Sequence, residues 1–296
     1  MALPRFQYHE PTSLTEACRM LQAFGETAAL LAGGTDLLVK MKNRELQPQN
    51  IVSLAELEEI KQISLTGSDT SIGAGCTISQ IAESVTIRST FPALAVGAER
   101  LGSPAVRNLG TIGGNVVTAS PAADLPPALT AYGARARLKR EDQERILPLD
   151  QLFRGPGATH IGKDEILADL HLEKPPECSG AGFFKLGHRK ALQCSIINGA
   201  CYLGLNPQSG EIEKARVILG AVAPTLVRSS SAENILMGER PSEKLFLEAG
   251  RAAVRDCCPI DDLRGSAEYR RDMIRVLTNR TLHAALEEIR KPFTRA

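Results

Sequence analysis

Two short segments, each with an adjacent glycine pair, constrain the fold of this chain more than any other feature. The first glycine segment, LLAGGTDLL, covers residues 30–38, and the second glycine segment, RNLGTIGGN, covers residues 107–115. Because glycine has no Cβ, successive N–H groups can turn toward one anion, and a neighbouring Thr or Asn side chain can add a donor. A single Gly-Gly turn is usually an ordinary backbone feature. Two such segments predict two amide nests for the two phosphates of a dinucleotide, although neither matches the Rossmann or Walker pattern.

The composition argues against nucleic acid or a membrane surface as the partner. The 296 residues are 43% hydrophobic and 23% charged, and their formal net charge is only +1. A chain of this length can hold two domains, each with its own core. The segment MALPRFQYHE lacks the apolar stretch of a signal peptide, and the apolar stretch over 196–205 is too short to span a bilayer. These features predict a cytoplasmic protein without membrane insertion.

The cysteines and histidines form no pattern of a metal site or of a nucleophile. The seven cysteines include no CxxC spacing, which predicts reduced thiols and no zinc or iron–sulfur site in this chain. The five histidines do not pair at metal-ligand spacing, and no serine or cysteine lies in a nucleophile elbow. We therefore assign no catalytic residue and no metal ligand.

Periodicity and capping signals predict mixed helices and strands in the first half of the chain. Ser13 and Glu16 form a capping-box pattern ahead of the first helix. A strand over 28–32 leads into the first glycine segment, and a helix over 36–44 would follow it. The second glycine segment is expected in a strand-like stretch that continues through Val117. Further helices are expected over 77–84, over 91–101 and after Asp124, and further strands over 51–54, around 63 and 72, over 134–138 and over 166–172.

The stretch over 173–180, which contains KPPECSG, is the clearest linker and divides the chain into residues 1–176 and 177–290. Strand-like runs over 182–186, 195–205 and 215–222 then precede helices over 230–236, 242–254 and 267–290. Strands followed by helices predict a second α+β layer domain. Tyr269-Arg270-Arg271 opens the last helix, and we expect its charges to face solvent or a neighbouring subunit.

Five segments of the chain match the pattern of one known family. They are LLAGGTDLLVKMK, RNLGTIGGNVVTASPAADLPP, FFKLGHR, LGAVAPT and DLRGSAEYRR. Together they closely resemble the flavoprotein, or medium, subunit of the molybdenum hydroxylases, the group of xanthine dehydrogenase, carbon monoxide dehydrogenase and nicotinate dehydrogenase. The resemblance implies an α+β fold in which residues 1–176 form a FAD-binding domain of the vanillyl-alcohol-oxidase (PCMH) type, with extended FAD between two subdomains. Residues 177–290 would form a smaller α/β domain with an antiparallel three-stranded sheet and helices.

The same resemblance implies which residues bind FAD. The two glycine segments would wrap the diphosphate from opposite sides, and Leu101 and Leu167 would pack on the cofactor. Asp124 would meet ribityl or ribose hydroxyls, and Lys185 would approach the flavin ring, where its charge would stabilise the anion formed on reduction. In the alternative interpretation the two leucines are core residues, Asp124 caps a helix and Lys185 is a solvated surface charge. The full predicted set is Leu30, Leu31, Ala32, Gly33, Gly34, Thr35, Asp36, Leu37, Leu101, Thr111, Ile112, Gly113, Gly114, Asn115, Asp124, Leu167 and Lys185.

The function implied by the resemblance is electron transfer within a larger oxidoreductase. A substrate would be hydroxylated in a large molybdopterin subunit, electrons would cross two [2Fe–2S] clusters in a small subunit, and FAD in this chain would pass them to an external acceptor. A dimer of such heterotrimers is expected. Gln193-Cys194 stands where many relatives have Asp-Ile. If that acidic residue positions nicotinamide, NAD is disfavoured as the acceptor, and a quinone, ferredoxin or oxygen is favoured.

Two other functions stay open at this point. A self-contained FAD-dependent oxidase or reductase would need a base near the flavin, and the sequence shows none. A flavin-free assembly scaffold would not need the two intact glycine segments. The identity of the hydroxylated substrate is not encoded here, because its pocket would lie in another chain.

Overall fold

The computed structural model describes residues 3–189 and 193–291, and the first subdomain within them is a small parallel sheet. Its elements are β1 (Gln7–His9), α1 (Leu14–Phe24), β2 (Ala28–Leu31), α2 (Leu37–Lys42) and β3 (Asn50–Ser53). The strands pair in parallel in the order β1–β3–β2. Because β2 leads directly toward α2, the first glycine segment connects the end of this sheet to a helix.

Helix α1 joins the first subdomain to the second. Its buried face is made of Leu14, Ala17, Cys18 and Leu21, which recur at helical spacing. This face packs with Val52 of β3 and with two residues of a strand described below, Ile166 and Ala168. The predicted cap is present, because Ser13 Oγ accepts the N–H of Glu16 at 3.2 Å. The Glu16 carboxylate, however, accepts from the N–H of Thr12 rather than from that of Ser13.

The second subdomain is a five-stranded antiparallel sheet covered by short helices. In chain order its elements are β4 (Ile63–Thr66), β5 (Asp69–Gly73), α3 (Ile78–Glu83), α4 (Val85–Thr90), α5 (Pro92–Glu99), α6 (Pro104–Leu109), α7 (Ile112–Val117), α8 (Leu125–Tyr132), β6 (Arg135–Arg140), β7 (Gln143–Pro148), β8 (Phe153–Gly155), β9 (Ala158–Thr159) and β10 (Ile166–Glu173). The strand order is β4–β5–β10–β6–β7, and β8 pairs with β9 in a separate hairpin. The last strand therefore lies at the centre of the sheet and closes the subdomain.

The second glycine segment opens helix α7, so the prediction of a strand-like stretch through Val117 is wrong. Thr111 is the N-cap, and its Oγ1 accepts the N–H of Gly114 at 3.0 Å. Ile112 and Val116, which are four residues apart, are both fully buried. The helical spacing of the buried pair and the cap outweigh the strand propensity of the valines.

The C-terminal domain is a four-stranded antiparallel sheet backed by three helices. Its elements are β11 (Ser179–Leu186), β12 (Ile197–Leu205), β13 (Ile212–Gly220), β14 (Val227–Arg228), α9 (Ser230–Leu236), α10 (Glu243–Ala253) and α11 (Ala267–Arg290). The strands follow the order β11–β12–β13–β14, so the three predicted long strands are joined by a two-residue fourth. The α+β prediction is confirmed. No helix in the described part of the chain has the length and apolar character needed to cross a membrane.

The C-terminal sheet is a middle layer between two cores. One of its faces packs with α9, α10 and α11. From the other face, Ala200, Tyr202 and Ile218 join the core of the second subdomain. The two parts of the chain therefore share an apolar core across the predicted linker.

Arg270, at the start of α11, is buried, so the prediction that it faces solvent is wrong, whereas Arg271 is exposed. The Arg270 guanidinium donates to Ala221 O at 3.1 Å and to Asp262 Oδ1 at 2.5 Å. Hydrogen bonds from the side chain of Arg264 and then from Arg270 hold the pKa of Asp262 below its usual range. Arg270 thereby fastens the loop before α11 to the end of β13.

We expect Arg270→Met to lower the free energy of unfolding by about 2–3 kcal/mol, because it removes buried charge-assisted hydrogen bonds while Asp262 keeps Arg264 as a partner. The matched control is Arg271→Met, on the exposed neighbour, which should change it by less than about 0.5 kcal/mol. Urea denaturation of the purified proteins measures both values. Equal stabilities of the two variants would contradict the assigned role.

Candidate functional site

A cavity of about 580 Å³ lies between the two glycine segments. This volume is within the range of about 300–1,000 Å³ that ligand sites usually have. The wall also includes other residues of the first and second subdomains. The C-terminal domain contributes Gln193 and Cys194. The predicted site residues that line it are Leu30, Ala32, Gly33, Gly34, Thr35, Asp36, Leu37, Leu101, Thr111, Gly113, Gly114, Asn115, Asp124 and Leu167.

The first glycine segment carries backbone N–H groups that donate to no acceptor in the described chain. Between the end of β2 and the start of α2, the N–H groups of residues 33–36 have no acceptor among the described residues. Gly34 has φ of +70°, in the left-handed region that glycine tolerates best. Consecutive free amides around such a residue are suited to an anion, as the sequence predicts for this segment.

The second glycine segment differs, because the amides of its residues 112–115 already have acceptors. The N–H of Gly113 donates to Ala74 O at 2.9 Å, that of Gly114 to Thr111 Oγ1, and that of Asn115 to Thr111 O at 3.0 Å. The prediction of a second free amide nest is therefore wrong. What this segment offers is space, because a Cβ on Gly114 would have only Thr111 Oγ1, at 3.1 Å, as a neighbour.

The two glycine segments pack against each other backbone to backbone. A Cβ on Gly33 would collide with the carbonyl group of Leu109 and lie 2.9 Å from the Cα of Gly110. A side-chain bond reinforces the contact, since Thr118 Oγ1 donates to Asp36 Oδ2 at 2.7 Å. Two walls of the cavity are thus fixed by a contact that only glycine permits at residue 33.

Asp124 and Lys185 form a buried ion pair beside the cavity. Lys185 Nζ donates to Asp124 Oδ2 at 2.6 Å and to Arg100 O at 3.1 Å. The other carboxylate oxygen, Oδ1, accepts from Ser195 Oγ at 2.8 Å and from Asn198 Nδ2 at 3.2 Å. The side chain of Lys185 is only 4% exposed, so it is not a solvated surface charge. Asp124 occupies the N-cap position of α8, but its side chain makes no hydrogen bond to the amides of that helix, so its carboxylate does not cap the helix.

Three predicted residues do not line the cavity: Leu31, Ile112 and Lys185. Leu30 does line it, and adjacent residues of a strand point to opposite faces, which directs Leu31 away. Ile112 is fully buried in the core of the second subdomain. Leu101 and Leu167 belong to that core, as the alternative interpretation expects, and they also line the cavity.

Several residues of the site carried no recognised signal in the sequence. Ser120, Ala122 and Ala123 line the cavity just before Asp124, within the segment RNLGTIGGNVVTASPAADLPP, whose only signal at these positions is its resemblance to the family. Ser195 and Asn198 are polar residues, fully buried in an otherwise apolar run. Such residues need hydrogen-bond partners, and this was the signal that could have identified them. Across the described chain no three His, Cys, Asp or Glu side chains meet as a metal-binding group.

Comparisons with known proteins agree with this geometry. Residues 4–175 match the family model described as the FAD binding domain in molybdopterin dehydrogenase, and residues 182–285 match the CO dehydrogenase flavoprotein C-terminal domain. The chain is 31% identical over 285 residues to the carbon monoxide dehydrogenase medium chain of Hydrogenophaga pseudoflava, covering 96% of this chain and 98% of that one. It is 30% identical over 282 residues to the xanthine dehydrogenase FAD-binding subunit of Escherichia coli O157:H7, covering 94% and 95%.

Solved structures show the same relationship. The carbon monoxide dehydrogenase of Hydrogenophaga pseudoflava matches with a TM-score of 0.92 and 32% identity over 97% of this chain and 99% of the other. The quinoline 2-oxidoreductase of Pseudomonas putida 86 matches with a TM-score of 0.90 and 26% identity over 97% and 99%. The family resemblance seen in the sequence is confirmed.

We expect Gly33→Ala to lower the free energy of unfolding of the FAD-free protein by about 1–3 kcal/mol, because the added methyl group must push the Leu109 backbone away. Gly155→Ala is the matched control, since a Cβ there meets nothing within 4 Å. Its effect should stay within about 0.5 kcal/mol. Chemical denaturation without added FAD separates the two, and a Gly33→Ala protein as stable as wild type would refute the packing argument.

Proposed function

The chain belongs to the flavoprotein, or medium, subunits of the molybdenum hydroxylases, and on this premise we propose that its cavity holds FAD as an electron relay. Electrons would enter from an iron–sulfur partner subunit and leave to an external acceptor. FAD is the cofactor of this family, and when bound it supplies both one-electron and two-electron redox chemistry.

The residues of the cavity fit this cofactor. The free amides of residues 33–36 would bind the diphosphate, and the open face of Gly114 would give it room from the other side. Leu101 and Leu167 would provide apolar contact, and the Asp124–Lys185 pair would lie beside the bound group. These assignments of individual residues are part of the proposal.

The observation that carries the relay function is that the carboxylates of the described cavity wall are already paired and that no histidine lines it. Asp36 accepts from Thr118 and lies 3.8 Å from Lys40 Nζ, which also lines the cavity, and Asp124 accepts from Lys185. Cys194 adds an exposed thiol to the same wall. A self-contained oxidase would need a proton acceptor next to the flavin. An electron relay needs only the cofactor and a partner.

We propose the partners from the same family membership. Two of the similar proteins are named as a medium chain and as a FAD-binding subunit, which are terms for parts of larger enzymes. For this chain the partners would be a large molybdopterin subunit and a small subunit with two [2Fe–2S] clusters, assembled as a dimer of heterotrimers. The external acceptor stays open among NAD, a quinone, ferredoxin and oxygen.

Two further proposals concern the compartment and the domain limits. All seven cysteines are free thiols, as expected of a reducing compartment, and we place the protein in the cytoplasm. The division into residues 1–176 and 177–290 is supported by the end of β10 at Glu173 and the start of β11 at Ser179.

Gly114→Val should yield a folded protein that purifies with little or no FAD, because a branched side chain fills the space that Gly114 leaves open. Gly155→Val, on the β8–β9 hairpin away from the cavity, should keep its full flavin content. The ratio of flavin to protein absorbance gives the content, and circular dichroism checks the fold. A Gly114→Val protein with stoichiometric FAD would contradict the proposed site.

Affinity purification of a tagged copy from its native host should recover a large molybdopterin subunit and a small iron–sulfur subunit together with this chain. The recovered chain should contain FAD and show no substrate turnover once it is separated from them. A chain that runs alone with FAD and oxidises a substrate by itself would support the oxidase. A chain that recovers partners but lacks FAD would support the scaffold.

A further inference from the structure

One wall of the cavity is held in place by the C-terminal domain. This wall segment, residues 119–124, contributes Ser120, Ala122, Ala123 and Asp124 to the cavity lining. The N–H of Ala221, at the end of β13, donates to Pro121 O at 2.6 Å. The position of the wall segment therefore depends on strands that lie beyond the linker.

The Asn198 side chain, on β12, donates hydrogen bonds to the wall segment. Its Nδ2 lies 2.9 Å from Ala123 O, 3.2 Å from Asp124 Oδ1 and 3.4 Å from Ala122 O. Carbonyl and carboxylate oxygens only accept hydrogen bonds, so the nitrogen and not the oxygen of the amide must face them. The orientation of this buried amide is thus fixed by its surroundings.

The other end of the same amide has no hydrogen-bond donor. Asn198 Oδ1 is buried without a partner among the described residues and lies against Gly220, where a Cβ would collide with it. An unsatisfied buried oxygen costs free energy, and such a cost calls for an explanation. We infer that the oxygen stays unpaired because the Nδ2 atom of the same amide must donate to Ala123 O and Asp124 Oδ1.

The Asp124 carboxylate depends on the C-terminal domain for its side-chain hydrogen bonds. Lys185 donates to Oδ2, while Ser195 and Asn198 donate to Oδ1. Lys185 and Asn198 are direct partners across β11 and β12, so the cation and one neutral donor are fixed relative to each other by strand register. These donors fix the orientation of the Asp124 carboxylate and its position relative to the Lys185 ammonium group.

We propose that Ser195 and Asn198 are positioning residues that fix the Asp124–Lys185 pair and thereby set the midpoint potential of FAD bound in the cavity. This inference rests on the proposed function, in which FAD occupies that cavity. Asp124 lines the cavity and Lys185 does not, so the negative member of the pair is the one facing the bound group.

The sign of the effect follows from this arrangement. The hydroxyl and amide donors present positive hydrogen atoms to the carboxylate and reduce the negative potential that it projects into the cavity. Loss of either donor makes the potential in the cavity more negative. A more negative potential disfavours the addition of electrons, so the midpoint potential of the bound flavin must fall.

The test is a spectroelectrochemical titration of Ser195→Ala and Asn198→Ala with FAD bound. Each variant should keep FAD and reduce it with an equilibrium constant about tenfold lower, which is a fall of about 30 mV for a two-electron couple. Ser195→Thr keeps the hydroxyl and should restore the wild-type potential. Ser179→Ala is the matched control. Ser179 is also a buried serine, but it lies at the end of β11 that is far from Lys185, and it donates to Pro176 O.

Each other outcome has a defined meaning. FAD-replete Ser195→Ala and Asn198→Ala proteins with an unchanged potential would overturn the inference, as would an equal shift in Ser179→Ala. If Asn198→Ala does not fold, the milder Ser195→Ala and its threonine rescue decide the question. Loss of FAD from Ser195→Ala but not from Ser179→Ala would show a binding role instead and would also overturn it. A wild-type protein that binds no FAD would overturn the proposed function itself.

Discussion

The rest of the site depends on how closely two stretches of backbone approach each other at Gly33. Any side chain at this position would occupy the space of the Leu109 carbonyl group. The contact brings the end of the parallel sheet against the helices of the second subdomain, and the bond between Thr118 and Asp36 reinforces it. Because the contact is made by main-chain atoms, it leaves little freedom for the walls to shift. Packing between the two glycine segments therefore sets the positions of these two walls.

A third part of the chain completes the site. The C-terminal sheet packs one face into the core of the second subdomain and supplies the donors that hold Asp124. Burying a carboxylate without partners costs free energy, and Lys185 and its neighbours offset that cost at Asp124. The division into two domains describes the order of elements along the chain. The site itself belongs to both, because residues of the C-terminal domain hold a carboxylate that lines the cavity.

The sequence allowed accurate prediction where the determining signals are local. The helices over 230–236 and 267–290 end where they were expected, because caps and apolar spacing lie within each element. Prediction failed where distant residues decide. The N–H of Gly113, which was expected to be free, donates to the distant Ala74 O. Arg270 is buried by Asp262 and Ala221, and no local pattern in the sequence identifies such partners.

In the proposed site the two glycine segments act differently, the first by its amides and the second by its shape. A crystal structure of the protein purified with FAD tests this difference. We expect diphosphate oxygens about 2.7–3.2 Å from the amides of residues 33–36, with the amides of residues 113–115 still bonded to Ala74 and Thr111. A diphosphate held by the amides of residues 113–115, or one that lies away from residues 33–36, would contradict it.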